Sequence, residues 1–271
     1  RRDVGDISIP STIQDVVMAR VDSLPEDAKR VLQLGSVIGR EFSYKLIKQV
    51  YELSEQKLLS SMSILKESEL LYERGIYPQS TYVFKHALTQ DSVYQSLLKS
   101  ACQKCHVRIA QTLEKHFPER TSVNPEVLGR HFTEAGKIEQ AIPYWQKAGE
   151  IAIRRSAYIE AIGHLKNGLE LLKALPGEPT PERIELELRL QVALGNALIA
   201  TKGYADPEAG KTFSRASELC LQEDAGFELF QVLHGLARFH IVRTELEKTR
   251  QLGEQLLRGA KRKQDPVLFL S

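Results

Sequence analysis

The chain has 271 residues, enough for two compact units that each bury an apolar core. Its 37 basic and 35 acidic side chains nearly cancel, so no overall field attracts nucleic acid or an anionic membrane surface. No apolar run reaches membrane-spanning length, no segment has the layout of a signal peptide, and three cysteines do not make a disulfide framework. We therefore expect a cytoplasmic protein.

The first hundred residues predict a small domain of helices closed by a β-hairpin. Apolar side chains at helical spacing predict four helices, at residues 9–23, 28–38, 43–51 and 54–68. The pattern then changes, and residues 70–74 and 81–85 predict two short strands around a turn that holds Gly75 and Pro78. Three or four helices closed by a hairpin is the layout of a winged helix, so we interpret residues 1–100 as a winged-helix-like domain.

Helical periodicity returns at Ala87 and continues along the rest of the chain. One long helix is predicted from Ala87 to about His116, and Pro118 stands at its break. A region of helical repeats begins near Pro125. We assign residues 101–271 to this repeat region.

Two segments of the repeat region share one pattern of apolar and small residues. The first consists of Ile138, Ala141, Ile142, Trp145, Ala148, Gly149 and Ala152, and the second of Tyr158, Ala161, Ile162, Leu165, Gly168, Leu169 and Leu172. Each set lies on one face of a helix, and its small residues let two helix axes approach closely. We expect Trp145 to take a position complementary to Gly149 and Gly168 at a helix–helix contact. The pattern predicts antiparallel hairpins that stack on one another.

These residues resemble the tetratricopeptide repeat, and its signature fits in two settings, at residues 128–148 and 145–168. Both settings use the helix around Trp145, and downstream copies at residues 194–216 and 236–256 favour the second setting as the hairpin unit. The copies are spaced more widely than the roughly 34 residues of a standard unit, so we interpret them as degenerate repeats. The expected fold class is mostly α, with a small winged helix followed by an α-solenoid of tetratricopeptide-like hairpins.

A second resemblance covers nearly the whole chain. It rests on five segments that stand in order, at residues 9–12, 19–24, 36–42, 84–88 and 93–98. Together they resemble the region after the ATPase module in bacterial STAND-type signalling ATPases, a family that includes multidomain class III adenylate/guanylate cyclases. The resemblance implies that an effector such as a cyclase precedes a P-loop ATPase, followed by a winged helix and tetratricopeptide-like repeats.

By this resemblance the chain is a regulatory and protein-interaction scaffold of a larger signalling ATPase, and not itself an enzyme. The chain has no Gly-rich loop with Lys and Ser or Thr, no Walker-type acidic strand and no cyclase motif. ATP or ADP would then belong to an upstream module, which the chain would contact. The repeats would bind a protein, a peptide or a second copy of the chain. Because the chain begins without Met, and Asp265 with Pro266 would open a further helix, we expect a longer protein.

His86 is the one candidate site residue, since no catalytic or metal-binding set is predicted. It follows the second predicted strand. In related signalling ATPases a winged-helix His contacts the phosphates of bound ADP and holds the closed state, and by resemblance His86 would do the same. In the alternative interpretation, His86 only caps or packs at the junction between strand and helix.

DNA binding is the alternative function, as part of a transcriptional regulator of the same ATPase family. Groove reading requires Lys and Arg on and around the recognition helix. The candidate helix at residues 54–68 carries Lys57 and Lys66 against Glu55 and Glu67. This balance indicates that nucleic acid is not the expected partner.

Cys102, Cys105 and His106 form the sequence Cys-x-x-Cys-His, which is the attachment motif of c-type haem. The motif lies inside a predicted amphipathic helix, where Cys105, Ile109 and Leu113 recur at four-residue steps. Cysteine packs there as a small apolar residue, and no second Cys pair follows at the spacing of a zinc finger. We predict a structural role, with no metal or cofactor in this chain.

Overall fold

The computed structural model describes residues 11–51, 54–222 and 226–263. These residues form fourteen α-helices and three short β-strands, so the mostly α fold class is confirmed. The chain folds as two compact units. The first contains the described residues up to Thr121 together with residues 134–136, and the second contains residues 122–133 and the described residues from Lys137 onward. The domain boundary predicted at residue 100 stays a prediction.

The first unit contains the three strands. Its elements in chain order are α1 (Ser11–Asp22), α2 (Glu26–Ile38), β1 (Glu41–Ser43), α3 (Tyr44–Val50), α4 (Glu55–Glu67), β2 (Leu71–Arg74), β3 (Thr81–Phe84), α5 (Ala87–Gln95) and α6 (Lys99–His116). The strands form one antiparallel sheet in the order β1-β3-β2. The hairpin of β2 and β3 confirms the two strands predicted at residues 70–74 and 81–85.

The strand β1 is an element that the sequence did not predict. Phe42 is its one buried side chain. Phe42 lies over Gly35 of α2, where an added Cβ atom would stand 2.6 Å from the ring. The same ring contacts Tyr82 and Phe84 of β3, with centroids 6.1 and 6.2 Å away. Phe42 therefore joins α2 to the sheet in the core of the first unit.

The predicted starts of α3 and α4 are confirmed, but the two helices are capped differently. The Ser43 hydroxyl accepts a hydrogen bond from the Leu46 amide at 3.2 Å, so Ser43 is a true N-cap of α3. Ser54 stands at the N-cap position of α4, yet its side chain makes no capping hydrogen bond.

The long helix predicted from Ala87 to His116 is wrong, because the chain breaks between α5 and α6. At the break the Ser96 hydroxyl donates a hydrogen bond to the carbonyl of Val93 at 2.7 Å, and Leu98 takes extended backbone angles. Leucine and serine are common inside helices, so periodicity does not reveal this break. The predicted end of the helix at His116 is confirmed.

The second unit is an array of helices. The division between the two units falls within α7 (Pro118–Val123). The helices after it are α8 (Glu126–Glu134), α9 (Ile138–Arg154), α10 (Tyr158–Ala174), α11 (Pro181–Lys202), α12 (Pro207–Gln222), α13 (Gly226–Val242) and α14 (Leu246–Lys263). From α9 to α14, each helix packs on the next one in the chain, and the short connections make neighbours antiparallel. The predicted helical hairpins are thus confirmed. The further helix start expected at Asp265 and Pro266 lies outside the described residues.

Among the described residues of this array, a glycine faces a bulky side chain at four helix contacts. The pairs are Gly129 with Trp145, Gly149 with Leu165, Gly195 with Phe213, and, between α12 and α13, Gly210 with Phe239 and Gly235 with Phe213. A Cβ atom added to each glycine would stand less than 3.0 Å from its partner. The helix α9 carries both Trp145 and Gly149, and so it takes part in two such contacts. Close glycine contacts therefore occur within both settings of the repeat signature.

The partners of Trp145 differ in part from the prediction. Gly149 faces Leu165 and not Trp145. Residues four positions apart on one helix lie side by side, so Gly149 cannot stand opposite Trp145. Gly168 is close to Trp145 as expected, since its added Cβ atom would lie 3.5 Å from the Trp145 Cβ atom.

Candidate functional site

A groove of about 730 Å³ opens in the second unit between α10, α11 and α12. Its apolar lining includes Leu169, Leu172 and Leu194. Residues of the connection between α10 and α11 complete the lining. The volume is in the range of protein sites for small ligands or for a few side chains of a peptide.

Arg183 holds the connection between α10 and α11 in place. Its guanidinium donates hydrogen bonds to the carbonyl oxygens of Leu175 and Pro176, both at 2.9 Å, and to that of Glu178 at 3.4 Å. Gly177 takes a φ of +82° inside this turn, a left-handed conformation that favours glycine. The connection is therefore a fixed part of the groove wall.

Two clusters of ion pairs fix charged side chains at the groove. Glu208 accepts hydrogen bonds from Lys166 at 2.5 Å and from Lys202 at 2.9 Å, and these lysines hold the pKa of its carboxyl below its ordinary value. The Arg215 guanidinium forms two hydrogen bonds with Glu187, at 2.8 and 3.1 Å, which raise the pKa of Arg215. These groups already have charged partners within the protein.

Five other polar side chains line the groove without a partner in the described part of the chain. Lys173, Lys211 and Glu170 are exposed and form no ion pair there. Gln191 and Thr212 are each only 6% exposed, and their side chains form no hydrogen bond with the described residues. The polar atoms of these two side chains are not fully buried, so they face the open groove, where water or a ligand can bond to them.

Sequence reasoning did not find this groove, although one signal was available. Gln191 lies on the same face of α11 as the buried residues Leu188, Leu194 and Leu198. A polar side chain in an apolar stripe indicates either a buried hydrogen bond or a ligand contact. The rest of the groove comes from three helices and a loop, and their meeting cannot be read from the spacing of residues.

His86 lies at the N-cap position of α5, immediately after the hairpin strands. Its side chain is exposed and makes no capping hydrogen bond, so a capping role of this side chain is not seen. Its contact with a nucleotide phosphate stays a prediction.

The Cys-x-x-Cys-His sequence lies within α6, and its histidine is buried in the first unit. His106 is 2% exposed, and its Nε2 atom lies 3.2 Å from the Tyr94 hydroxyl. Cys102 and Cys105 are free thiols, and burial raises the pKa of Cys105. Within the described ranges, no group of three His, Cys, Asp or Glu side chains could hold a metal ion.

The lysines of α4 are paired within the first unit. Lys66 lies 2.7 Å from Glu73, and Lys57 lies 3.9 Å from Asp27. These side chains therefore have acidic neighbours that compete with any phosphate backbone.

No family model matches the chain. The chain is 26% identical over 210 residues to an uncharacterized protein from Rhizobium meliloti (strain 1021), a match that covers 77% of the chain and 20% of that relative. The chain thus spans about a fifth of the relative's length. A solved structure similar to it is a signal transduction ATPase with numerous domains and a tetratricopeptide repeat sensor, from Pyrococcus horikoshii. That match has a TM-score of 0.34 and 14% identity, and covers 96% of this chain and 48% of the other.

The fold assignment does not rest on the solved structure, because a TM-score of this size does not establish a common fold. It rests on the helices, the sheet and the glycine contacts described above. None of the helices within the described ranges combines the length and apolar character needed to cross a membrane.

Proposed function

We propose that the chain is a non-catalytic regulatory and protein-interaction segment of a larger signalling ATPase. The observation that carries this proposal is the groove between α10, α11 and α12. Its lining includes Gln191 and Thr212, whose side chains have no hydrogen-bond partner among the described residues. A helical array with an open groove offers many side chains to a partner protein or peptide. In this proposal the partner forms hydrogen bonds with these two side chains in place of water.

The wider setting of the proposal rests on the sequence resemblance to STAND-type ATPases. The run of helices from α2 to α4, closed by the β2–β3 hairpin, is consistent with a winged helix. ATP or ADP would be bound by an upstream ATPase module in the cytoplasm, with a cyclase as the proposed effector. His86, exposed at the start of α5, would contact the nucleotide phosphates when that module closes on the first unit.

We do not favour the alternative of a DNA-binding regulator. The two lysines of α4 have acidic neighbours, and the chain as a whole has nearly balanced charge. Reading a DNA groove would require free cations at this helix.

The proposed interaction can be tested by photo-crosslinking in cells. The longer native protein would carry a photoreactive amino acid in place of Lys211, and a matched variant would carry it in place of the exposed Lys147 on α9, which does not line the groove. We expect one crosslinked partner at Lys211 and none at Lys147. Thr212→Trp, which would fill the groove, should abolish the crosslink and change ATP hydrolysis by the native protein.

The opposite result would be equal crosslinking from both positions, or no effect of the Thr212→Trp change on ATP hydrolysis. Either outcome would mean that the groove is not the regulatory interaction surface.

A further inference from the structure

The groove between α10, α11 and α12 contains polar groups that its own protein does not satisfy. Gln191 and Thr212 are each 6% exposed, and neither side chain has a hydrogen-bond partner among the residues that the structure describes. Their polar atoms are not fully buried, so they are open to water in the groove, and a ligand with a donor and an acceptor can take the place of that water. The main chain of an extended peptide presents such a pair at every residue.

The net charge of the side chains that line the groove indicates the sign of the charge on its ligand. Five basic and three acidic side chains line it, an excess of two positive charges. Two of the acids, Glu187 and Glu208, are held in ion pairs. Lys173 and Lys211 have no ion pair within the described ranges, and Arg183 is bonded to carbonyl oxygens only. Of the acids that line the groove, Glu170 alone is unpaired in this part of the chain.

The apolar lining of the groove favours a peptide over other anionic ligands. Leu169, Leu172, Leu175 and Leu194 offer surface to aliphatic side chains. Single-stranded RNA would need aromatic rings for its bases to stack on. None of the described residues that line the groove is aromatic.

We infer that this groove binds an extended acidic peptide of a partner protein. Carboxylates of the peptide would pair with Lys173 and Lys211, its main chain would bond to Gln191, and alternate aliphatic side chains would contact the leucines. The inference rests on the proposed interaction function and adds the chemical class of the partner segment. Because exposed charge pairs are screened by salt, affinity should fall as ionic strength rises.

The test measures binding of labelled peptides to the 271-residue chain by fluorescence polarisation. The probe is a peptide of alternating Glu and Leu, about nine residues or roughly 30 Å long when extended. Its controls replace every Glu by Gln or by Lys. We expect the acidic peptide to bind roughly tenfold more tightly than the neutral one, the scale of one charge-assisted hydrogen bond. The basic peptide should bind more weakly than both.

Three variants connect this binding to the groove. The double change Lys173→Gln with Lys211→Gln should bring the affinity for the acidic peptide close to that for the neutral one. Lys147→Gln, a change at an exposed lysine outside the groove, should leave both affinities unchanged. Gln191→Leu should weaken binding of both peptides about five- to tenfold, because both use the main-chain hydrogen bonds. Its melting temperature should not fall, because the change removes no hydrogen bond with a described residue.

The outcomes separate this inference from the proposed function. Equal binding of the acidic and neutral peptides, with no effect of the lysine changes, would overturn the acidic-peptide inference and leave an interaction groove in place. Binding of neither peptide would also overturn it, while the crosslinking experiment would still decide the proposed function. Loss of binding in the Lys147→Gln variant would place the peptide outside the groove and contradict the inference.

Discussion

At the scale of single residues, the carboxylate of Glu55 joins separate parts of the first unit. Glu55 begins α4, and its Oε1 atom accepts hydrogen bonds from Lys48 of α3 at 2.6 Å and from Tyr77, in the turn of the β-hairpin, at 2.7 Å. The Tyr44 hydroxyl of α3 also donates to it, at 3.3 Å. Lys48, and after it Tyr77, lower the pKa of Glu55 to about 2.

This lowered pKa predicts how the stability of the first unit depends on pH. The unfolded carboxyl titrates near 4.5, so the contribution of Glu55 is fully present above that pH. It is lost as pH falls from about 4.5 through about 2. We expect Glu55→Gln to lower the melting temperature at neutral pH, and this difference from the parent to shrink toward zero at the acidic end of that range. Thermal melts from neutral pH downward would measure it.

A matched control for Glu55 is Glu41→Gln, at an exposed carboxyl without an ion pair among the described residues. This change should leave the melting temperature the same as that of the parent at every pH. A difference between Glu55→Gln and the parent that stays constant over the whole pH range would contradict the assignment.

Trp145 is the second residue whose contacts support a prediction. It is 8% exposed, its ring lies on Gly129, and its Nε1–H donates a hydrogen bond to the Thr133 hydroxyl at 3.0 Å. We expect Trp145→Ala to cost about 3–5 kcal/mol of the free energy of unfolding, the usual range for emptying an aromatic core position. Trp145→Phe keeps a ring on Gly129 and loses the hydrogen bond, so it should cost less than half as much. Urea denaturation would measure both, and equal costs would mean that the ring contact contributes little.

At the scale of elements, the close approach of α9 and α10 depends on the absence of a side chain at Gly149. An added Cβ atom would stand 2.6 Å from both Cγ and Cδ2 of Leu165. Gly149→Ala should therefore destabilise the second unit by about 1–3 kcal/mol through overpacking, and leucine at the same position should cost more. The matched control is Gly163→Ala on α10, since no atom lies within 4 Å of its added Cβ. It should stabilise the helix by about 0.5–1 kcal/mol. If chemical denaturation gives both changes the same sign, the helix contact is not as described.

The observed helices and strands also show which elements can be predicted from sequence patterns and which cannot. Most of the helices and the β2–β3 hairpin were predictable because their apolar residues recur over at least one full period. The strand β1 was not, because three residues cannot display an alternation, and its one buried residue, Phe42, is explained only by Gly35 on another element. The break before α6 depends on the Ser96 hydrogen bond, and serine also occurs inside helices.

At the scale of the whole molecule, the groove was less predictable than the fold. Its position depends on which helices become neighbours, and on a loop that Arg183 holds through main-chain carbonyls. The sequence shows that Lys173 and Lys211 are charged, but it does not show that Glu187 and Glu208 already have partners. The folded array determines which charged side chains of the groove are still unpaired and can bind a ligand.

His86 supports a prediction about the larger signalling ATPase proposed above. If an upstream ATPase module binds ADP and closes on the first unit, a histidine beside the phosphates can donate a hydrogen bond to them. A contact present only in the closed state shifts the equilibrium toward that state, so its loss favours the open state. We therefore expect His86→Ala to speed ADP dissociation and to raise basal output. Because the side chain is exposed and makes no capping hydrogen bond, the melting temperature should hardly change.

The measurements for His86 are the ADP occupancy of the purified native protein and the rate at which labelled ADP dissociates. Lys85→Gln is a suitable neighbouring control, since Lys85 pairs with Glu69 at 2.9 Å and is already committed within the first unit. The 271-residue chain alone should retain negligible ADP with either residue at position 86, because most phosphate contacts would come from the upstream P-loop. Unchanged ADP dissociation in the His86→Ala protein, together with a large drop in melting temperature, would assign His86 a structural role instead.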